Sequence, residues 1–204
     1  MHDLLSALNG RVFESSLGYR LMQAPFAQRK LAPVLADADA ARARRALDVG
    51  CGPGTNTLHF EQTEYLGVDL SEAYVRSARG RYQRNFIVAD VSRAFLRGAT
   101  FDCILSNSLL HHLDDASVRA TLRNLSGLLA SDGHIYVLDL VLPPSKGVAY
   151  MLAKADRGDY PRRLGEWREL FTEFFELEVF FPYPLGVPGL CLWNMVYFKG
   201  RPKS

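Results

Sequence analysis

Residues 46–55 of this 204-residue chain have the sequence ALDVGCGPGT. A short apolar run leads directly into a turn with glycine at positions 50, 52 and 54. Glycine adopts backbone angles that other residues avoid, and it has no side chain to keep a ligand away from the main chain. The pattern therefore predicts a buried strand followed by a ligand-binding loop. We expect a helix after Thr55, whose free N–H groups and positive dipole end would face a carboxylate or phosphate.

The spacing of the glycines separates two kinds of nucleotide-binding loop. A dinucleotide-binding fold has the pattern G-x-G-x-x-G, and Thr55 stands where that pattern needs its third glycine. This disfavours an NAD-dependent dehydrogenase. Asp48 instead gives D-x-G-x-G-x-G, in which a carboxylate beside the loop suits a ligand with both an ammonium and a carboxylate group. Here the chain resembles the class I S-adenosylmethionine-dependent methyltransferases, whose first motif has this form.

Composition limits the class of protein. The length and a hydrophobic content of 48% indicate one domain with a full core. Since 24 basic residues face 22 acidic ones, no strong charge favours nucleic acid as a partner. The N-terminus lacks a signal-peptide pattern and no apolar run approaches the ~18 residues of a membrane span, so we expect a cytoplasmic protein without stable membrane insertion. The three cysteines lack metal-ligand spacing, so we expect reduced thiols and no metal site; the oligomeric state stays open.

Hydrophobic patterning predicts strands that alternate with helices. After the first strand, further strands are predicted at residues 64–69, 85–90, 101–106, 134–138, 178–181 and 194–198. Helices are predicted from Glu72 to about Arg79, from Asp114 or Asp115 through Leu129, and around Trp167. Residues 131–133 are expected to break the second helix, and residues 182–189 to form a proline-rich loop between the last two strands.

These elements predict an α/β fold with a doubly wound, mainly parallel sheet and helices on both faces. The resemblance, which covers residues 46 to 198, implies seven strands in the order 3-2-1-4-5-7-6 with the last strand antiparallel. We expect residues 1–45 to form an N-terminal helical cap and residues 46–204 to form the Rossmann-like core. Residues 140–163 are a possible substrate lid.

Two carboxylates at strand ends are candidates for binding a nucleoside. Asp69 lies 19 residues after Gly50, close to the roughly 20 expected for an acid that accepts hydrogen bonds from a ribose. Its alternative role is to cap the helix that follows. The resemblance implies that Asp69 binds the ribose of S-adenosylmethionine, that Asp90 and Val91 lie beside the adenine, and that Leu70 packs on its face. The alternative for Asp90 is an ordinary turn residue.

The loop itself is expected to bind the amino-acid end of the cofactor. Asp48 would hold the methionine ammonium directly or through water, while the glycines let the carboxylate approach; alternatively Asp48 bonds the N–H groups of its own loop. The residues assigned to the cofactor are Asp48, Gly50, Cys51, Gly52, Gly54, Asp69, Leu70, Asp90, Val91 and Ser106.

Residues 106–113, with the sequence SNSLLHHL, follow the fourth predicted strand. The resemblance places the reactive methyl group here. Enzymes that methylate exocyclic nitrogens of nucleic-acid bases usually carry a D/N-P-P-Y/F tetrad at this point, which this chain lacks, so nucleic acid is not expected as a partner. His111 and His112 are candidate general bases, because neutral imidazole accepts a proton near pH 7. Alternatively, a histidine contacts the cofactor or fixes the loop.

Residues 150–158 and 11–14 resemble segments of a group of small bacterial methyltransferases. Arg157, with Tyr150, is a candidate substrate residue because guanidinium groups bind anions, although a surface salt bridge would explain Arg157 equally well. The sequence therefore predicts a methyltransferase that moves a methyl group from S-adenosylmethionine to an oxygen or nitrogen of a small molecule and leaves S-adenosylhomocysteine. The alternatives are a lipid or quinone methyltransferase and a non-catalytic S-adenosylmethionine-binding module.

Overall fold

The computed structural model describes residues 16–93, 96, 98–155 and 159–203, with side chains from residue 26 onward except that of residue 155. These residues form six α-helices and seven strands. The helices are α1 (Ser16–Leu35), α2 (Ala38–Arg42), α3 (Glu72–Arg81), α4 (Asp115–Ser126), α5 (Val148–Ala155) and α6 (Leu164–Phe174). The strands are β1 (Arg45–Val49), β2 (Glu64–Asp69), β3 (Asn85–Val88), β4 (Phe101–Asn107), β5 (Leu129–Val141), β6 (Phe175–Val187) and β7 (Leu190–Pro202).

All seven strands form one sheet in the order β3-β2-β1-β4-β5-β7-β6. The pairs from β3 through β5 are parallel, whereas β7 runs antiparallel to both β5 and β6. This confirms the expected order and the antiparallel last strand. The strand order reverses between β1 and β4, and in such sheets ligands bind beyond the carboxyl ends of the strands at this point.

Each face of the sheet has its own core, because successive side chains of a strand point to opposite faces. Leu47 and Val49 of β1 pack on one face with α4 and α6, where Trp167 and Phe171 are fully buried. On the other face Tyr136 packs with α1 and α3, whose buried residues include Leu31, Val34, Val75 and Ala78. Helices on both faces are thus confirmed.

Three local predictions are wrong. The helix expected after Thr55 is a single 3₁₀ turn, Thr57–Phe60, because the Asn56 side chain turns inward to Asp48 and β2 already begins at Glu64. Helix α4 ends at Ser126, and Leu129 begins β5, so residues 131–133 lie inside a strand.

The third wrong prediction is the loop at the proline-rich segment. Pro182 and Pro184 lie within β6, and the chain turns at positions 188 and 189. Strand β6 is at the edge of the sheet, where a residue without an N–H is tolerated because one side of the strand has no partner.

The other predicted elements are confirmed. Helix α3 matches the prediction from Glu72, and Asp114 caps α4 by accepting from the N–H of Ser117. Among the described residues, no helix is both long enough and apolar enough to cross a membrane. Cys51, Cys103 and Cys191 are free thiols.

Candidate active site

The glycine loop lies at the carboxyl end of β1. Hydrogen bonds to β2 hold its first two residues. The N–H groups of Gly50 and Cys51 both donate to the carbonyl of Val68, over 2.8 and 3.0 Å. Gly50, Gly52 and Gly54 all have positive φ, at 70°, 53° and 82°. A Cβ built on Gly52 would meet nothing within 4 Å, so the main chain there faces open space. The loop has the backbone shape and the open side that a ligand cradle needs.

Asp69 ends β2 with its carboxylate turned onto the glycine loop. One oxygen accepts from the N–H of Gly52 over 2.8 Å, and the other accepts from the N–H of Ser71 over 2.8 Å. The cap of α3 is a different group, because the Ser71 hydroxyl accepts from the N–H of Tyr74. Each carboxylate oxygen has two lone pairs, so Asp69 retains acceptor capacity for hydroxyl groups of a ligand.

Asp48 lies beneath the loop and is only 1% exposed. Its carboxylate accepts from the hydroxyl of Tyr65 over 2.7 Å and from the Asn56 amide over 3.2 Å. Burial raises the pKa of Asp48 to about 6, and the hydrogen bonds from Tyr65 and Asn56 offset part of this effect, while the charge of Asp69 adds to it. Sequence reasoning missed both partners, since neither lies beside Asp48 in the chain.

Three assigned residues differ in what their side chains do. Leu70 is 71% exposed, which is unusual for leucine and leaves its surface available for packing against a ligand. Asp90 accepts from the N–H and hydroxyl of Ser92 over 3.0 and 2.6 Å, and these bonds lower its pKa. The thiol of Cys51 is buried behind the loop, where burial raises its pKa, so Cys51 can reach a ligand through its main chain.

The segment after β4 packs directly on the glycine loop. A Cβ on Gly50 would lie 3.0 Å from a methyl group of Leu109, so these two predicted parts of the site are in contact. Ser106 is fully buried, and its hydroxyl has no hydrogen-bond partner among the described residues. The Asn107 amide donates to Asn56 over 3.4 Å, which links the segment to the group that holds Asp48.

The two candidate bases have different surroundings. His111 is buried, and its Nδ1 lies 2.5 Å from an oxygen of Asp139, which is fully buried. Asp139 also accepts from the N–H groups of Leu110 and Leu140, over 2.8 and 2.7 Å. Burial alone would raise the pKa of Asp139, but the attraction and hydrogen bond of His111, with the two N–H bonds, lower it overall. His112 is exposed, and its ring centre lies 4.1 Å from that of His111.

Sequence reasoning missed Asp139. The sequence feature that could have revealed it is a single acidic residue within the apolar run that forms β5. An acid in a strand buried on both faces needs partners.

The predicted substrate residues lie in the segment after β5. Tyr150 is half-buried on α5, and Arg157 is outside the described residues. Arg162, which sequence reasoning did not consider, is 5% exposed and donates to the carbonyls of Leu110 and Leu113. The N–H of Tyr160 donates to the carbonyl of His111 over 3.1 Å. The end of this segment therefore supports the histidine-bearing turn.

A second cleft of the molecule has a structural explanation. A cleft of about 470 Å³ lies at the amino ends of β1 to β3, away from the glycine loop, and includes Arg79 and Arg84. Both guanidinium groups donate to main-chain carbonyls there, which is a structural use. Within the described ranges, His, Cys, Asp and Glu form no group of three or more that could hold a metal ion.

The described residues fit a nucleoside joined to an amino acid. The loop is open at Gly52, the carboxylate of Asp69 lies at its edge, and the exposed Leu70 follows. The buried hydroxyl of Ser106 can donate to a ligand.

Residues 46–133 match the profile of a family described as "Methyltransferase domain". This part of the chain is similar to methyltransferase domains. An uncharacterised methyltransferase of Mycobacterium tuberculosis is 32% identical over 127 residues, which cover 59% of this chain and 64% of that protein. A trans-aconitate 2-methyltransferase of Methylobacterium radiotolerans is 37% identical over 53% of this chain and 43% of its own length. The chain thus matches less than two thirds of the length of these relatives.

Solved structures match the fold over almost the whole chain. The N-methyltransferase NodS of Bradyrhizobium japonicum, in complex with S-adenosylhomocysteine, superposes with a TM-score of 0.75. The match covers 97% of this chain and 98% of NodS at 16% sequence identity, so it concerns the fold. The fold is that of the class I S-adenosylmethionine-dependent methyltransferases, as the resemblance implied.

Proposed function

We propose that this chain is an S-adenosylmethionine-dependent methyltransferase that methylates an oxygen or nitrogen of a small molecule in the cytoplasm. The observation that carries the proposal is the contact between two predicted motifs. The glycine loop, open at Gly52 and bonded to Asp69, touches the segment that carries His111 through Leu109. A bound nucleoside and the acceptor can therefore meet at one edge of the sheet.

The cofactor would be held by the residues of the loop and the neighbouring strand ends. Asp69 would accept hydrogen bonds from the ribose, Asp90 and Val91 would lie beside the adenine, and Leu70 would cover its face. The glycines and Asp48 would hold the methionine group, with Asp48 acting through Asn56 or water because it is buried. S-adenosylmethionine, when bound, supplies a methyl group on a sulfonium. The thioether that remains after transfer is a good leaving group. The protein's task is to align the acceptor and exclude water.

His111 is the proposed general base. If Nδ1 donates its proton to Asp139, Nε2 is the nitrogen that can accept a proton from an acceptor hydroxyl or amine. The buried carboxylate fixes this tautomer and would stabilise the protonated ring. His112, exposed on the same turn, is proposed to contact the acceptor.

A small-molecule acceptor is supported by the relatives. The Methylobacterium radiotolerans protein is named for a small carboxylic acid. We propose that residues 1–45 act as a cap and residues 140–163 as a lid, with Tyr150 and Arg157 contacting the acceptor. The near-balanced charge and the lack of the D/N-P-P-Y/F tetrad favour a small molecule over nucleic acid.

The experiment measures binding and transfer separately. Asp69→Ala should weaken S-adenosylhomocysteine binding by at least about 30-fold in calorimetry, since hydrogen bonds to a charged group contribute about 2 kcal/mol. Asp132→Ala, an exposed acid on β5, is the control. Release of S-adenosylhomocysteine over a panel of small hydroxyl and amine acceptors tests transfer, and His111→Gln should reduce it far more than His112→Gln. Unchanged affinity in Asp69→Ala would contradict the cofactor assignment.

A second candidate is a lipid or quinone methyltransferase. It is favoured by the apolar surface of α5, where Met151 is 70% and Val148 48% exposed. Methylation of acceptors in liposomes but not of soluble phenols would support it. Tight cofactor binding with no transfer to any acceptor would instead indicate a binding module.

A further inference from the structure

Four exposed apolar side chains lie on helix α5 and at the tip of the β6–β7 hairpin. The exposed fractions of Val148 and Met151 on α5 are 48% and 70%, and those of Val187 and Leu190 at the hairpin tip are 51% and 44%. Single apolar residues are ordinary on a protein surface, whereas several that lie together mark a site of interaction. We call these four side chains the edge patch.

Packing holds the two parts of the edge patch beside each other. Ala153 of α5 is buried in one cluster with Leu185 of β6 and Met195 of β7. Val187 lies two residues beyond Leu185, on the order of 7 Å along an extended strand. Across the turn Val187 pairs with Leu190. The helix and the hairpin tip therefore present their exposed residues around one small core.

Helix α5 turns an apolar stripe outward. Ala153 faces the core, whereas Val148, Met151 and Lys154 are exposed at three-residue spacing, which places them on one face of the helix. The outward face of a helix packed on a sheet is normally polar. An outward stripe of apolar residues with a cation at its end is instead typical of helices that lie in the surface of a membrane.

The charge of these segments has one sign. None of the chain's 22 acidic residues falls within residues 140–155 or 179–198, and the second segment has no charged residue at all. The nearest acids in sequence around α5 are Asp139, whose side chain is fully buried, and Asp156, which is outside the described residues. The sequence of both segments therefore carries nothing that would repel an anionic surface.

Cations flank the edge patch. Lys146 and Lys154 are exposed at the two ends of α5. Arg29 on α1 is also exposed, and its guanidinium donates to the carbonyl of Gly186 over 2.6 Å, which places a cation next to Val187. Cations of this kind attract anionic headgroups, while apolar side chains enter the boundary between the headgroups and the acyl chains. The combination is complementary to the surface of an anionic bilayer.

The sequence of the edge strand disfavours a second copy of the chain as the occupant. Strand β6 lies at the edge of the sheet and contains Pro182 and Pro184. Proline has no N–H to donate to a neighbouring strand, and prolines on an edge strand are a common protection against pairing with another chain. The sheet is thus poorly suited to continue into another molecule.

The edge patch lies at the same end of the strands as the candidate active site. Strand β7 runs antiparallel to β5, and Asn194 pairs with Val141 at the carboxyl end of β5. The hairpin tip precedes Asn194 and therefore extends beyond that end. Arg162, which forms a bridge with Val141, donates to the carbonyl of Leu110 beside His111. A surface that covered the edge patch would lie close to the proposed acceptor site.

We propose that the edge patch is a docking surface for an anionic lipid bilayer, which the protein binds reversibly without spanning it. The four apolar side chains enter the headgroup boundary, and the flanking cations Lys146, Lys154 and Arg29 lie at the level of the lipid phosphates. Docking brings the carboxyl edge of the sheet against the membrane. This binding does not depend on the proposed methyl transfer.

Co-sedimentation of the full chain with vesicles tests the docking surface. Vesicles of phosphatidylcholine mixed with phosphatidylglycerol are the anionic probe, and vesicles of phosphatidylcholine alone are the neutral one. The wild type should bind the anionic vesicles more tightly. Val148→Ser combined with Met151→Ser should lower the partition coefficient at least about 10-fold, because two apolar side chains no longer enter the bilayer. Val187→Ser combined with Leu190→Ser should have a similar effect.

Two further variants separate charge from apolar contact and supply the control. Lys146→Gln combined with Lys154→Gln should weaken binding to anionic vesicles at least about 5-fold and leave binding to neutral vesicles unchanged. Leu58→Ser is the matched control, since Leu58 is 59% exposed but lies in the 3₁₀ turn before β2, on the other half of the sheet. It should bind like the wild type. Circular dichroism establishes that each variant is folded.

Three results would overturn the proposal: no binding of the wild type to anionic vesicles, unchanged binding in both apolar double variants, or an equal loss in Leu58→Ser. A wild type that sediments as a dimer, and becomes a monomer when Val187 and Leu190 are replaced by serine, would make the surface an interface between copies instead. Vesicle binding and S-adenosylhomocysteine binding are measured separately. Failure of the docking surface is therefore distinguishable from failure of the proposed function.

Discussion

At the scale of single residues, the buried carboxylate of Asp48 lowers the stability of the folded protein and lies in the proposed cofactor site. It lies under the glycine loop with 1% exposure, bonded to Tyr65 and Asn56. Its pKa is raised to about 6 by burial, so the folded protein holds its proton more tightly than the unfolded chain does. The charged form of Asp48 is therefore destabilising above about pH 6.

The first prediction is that Asp48→Asn increases the free energy of unfolding at pH 8 by an amount on the order of 2 kcal/mol. The wild type loses stability as pH rises from about 4 to about 6, because the proton leaves the folded state later than the unfolded one. The neutral amide lacks this dependence. Urea unfolding from pH 4 to 8 measures it, and the gain should vanish near pH 4.

Asp132→Asn serves as the control, since it changes an exposed carboxylate on β5. It should leave the stability profile close to that of the wild type. A destabilised Asp48→Asn at pH 8 would mean that the hydrogen bonds outweigh the cost of the buried charge. We also expect Asp48→Asn to weaken S-adenosylhomocysteine binding, because the loop loses its negative charge.

At the scale of elements, the glycine loop combines left-handed backbone angles, which glycine adopts without strain, with an open face. Gly52 has a φ of 53°, and a Cβ there would meet no atom within 4 Å. Gly98, in the connection between β3 and β4, is similar, with a φ of 68° and open space at its Cβ. An alanine at either position would carry similar backbone strain. Comparing the two variants therefore separates the loss of stability caused by strain from the loss of ligand affinity caused by the added methyl group.

The second prediction is that Gly52→Ala and Gly98→Ala each lower the free energy of unfolding by about 1 kcal/mol. Gly52→Ala should also weaken S-adenosylhomocysteine binding at least about 10-fold, because its methyl group enters the space proposed for the ligand. Gly98→Ala should bind normally. Chemical denaturation and calorimetry measure the two effects. Equal affinities in the two variants would place the ligand elsewhere.

At the scale of the whole molecule, an ion cluster ties the N-terminal helices to the sheet. Lys199 on β7 is 6% exposed and donates to Asp37 and Asp39 over 3.0 and 2.6 Å. Asp37 also caps α2 and accepts from the hydroxyl of Tyr136 on β5 over 2.8 Å. Because α1 leads directly into this cap, the cluster attaches the C-terminal end of α1 to the sheet.

The third prediction is that Lys199→Met destabilises the protein by about 2 kcal/mol, since it leaves the half-buried Asp37 and Asp39 without their cation. Hydrogen exchange in α1 should become faster. The hydrogen bond from Lys199 lowers the pKa of Asp39 to about 2, so the cluster contributes fully above about pH 4 and is lost as pH falls toward 2. The difference between the variant and the wild type should therefore shrink in acid.

Arg201→Met is the matched control on the same strand. Arg201 pairs with Glu176 over 2.8 Å, but the two side chains are 53% and 50% exposed. Exposed ion pairs contribute at most about 1 kcal/mol, so this variant should remain close to the wild type in urea unfolding. Similar losses in the two variants would show that the cluster around Lys199 contributes no more to stability than an exposed ion pair.

Local sequence patterns predicted the fold class and the glycine loop, whereas the strand order was implied by the family resemblance. Near-continuous apolar runs mark strands buried on both faces, and they are visible in one segment at a time. Patterns failed where a local preference met a tertiary constraint. Pro182 and Pro184 predict a loop, but an edge strand has room for both. The nine residues from Thr55 to Thr63 resemble a helix start, but the inward bond of Asn56 allows only a 3₁₀ turn.

The sequence by itself determined the glycine loop and the acids at the strand ends, on which the proposed nucleoside site rests, because these are properties of short segments. Only the tertiary structure decided what surrounds them. Asp139 lies beside His111 and Lys30 beside Ser108 because strands and helices distant in the chain pack at one edge of the sheet. Such contacts depend on long-range packing geometry, which the periodicity of a single segment does not contain.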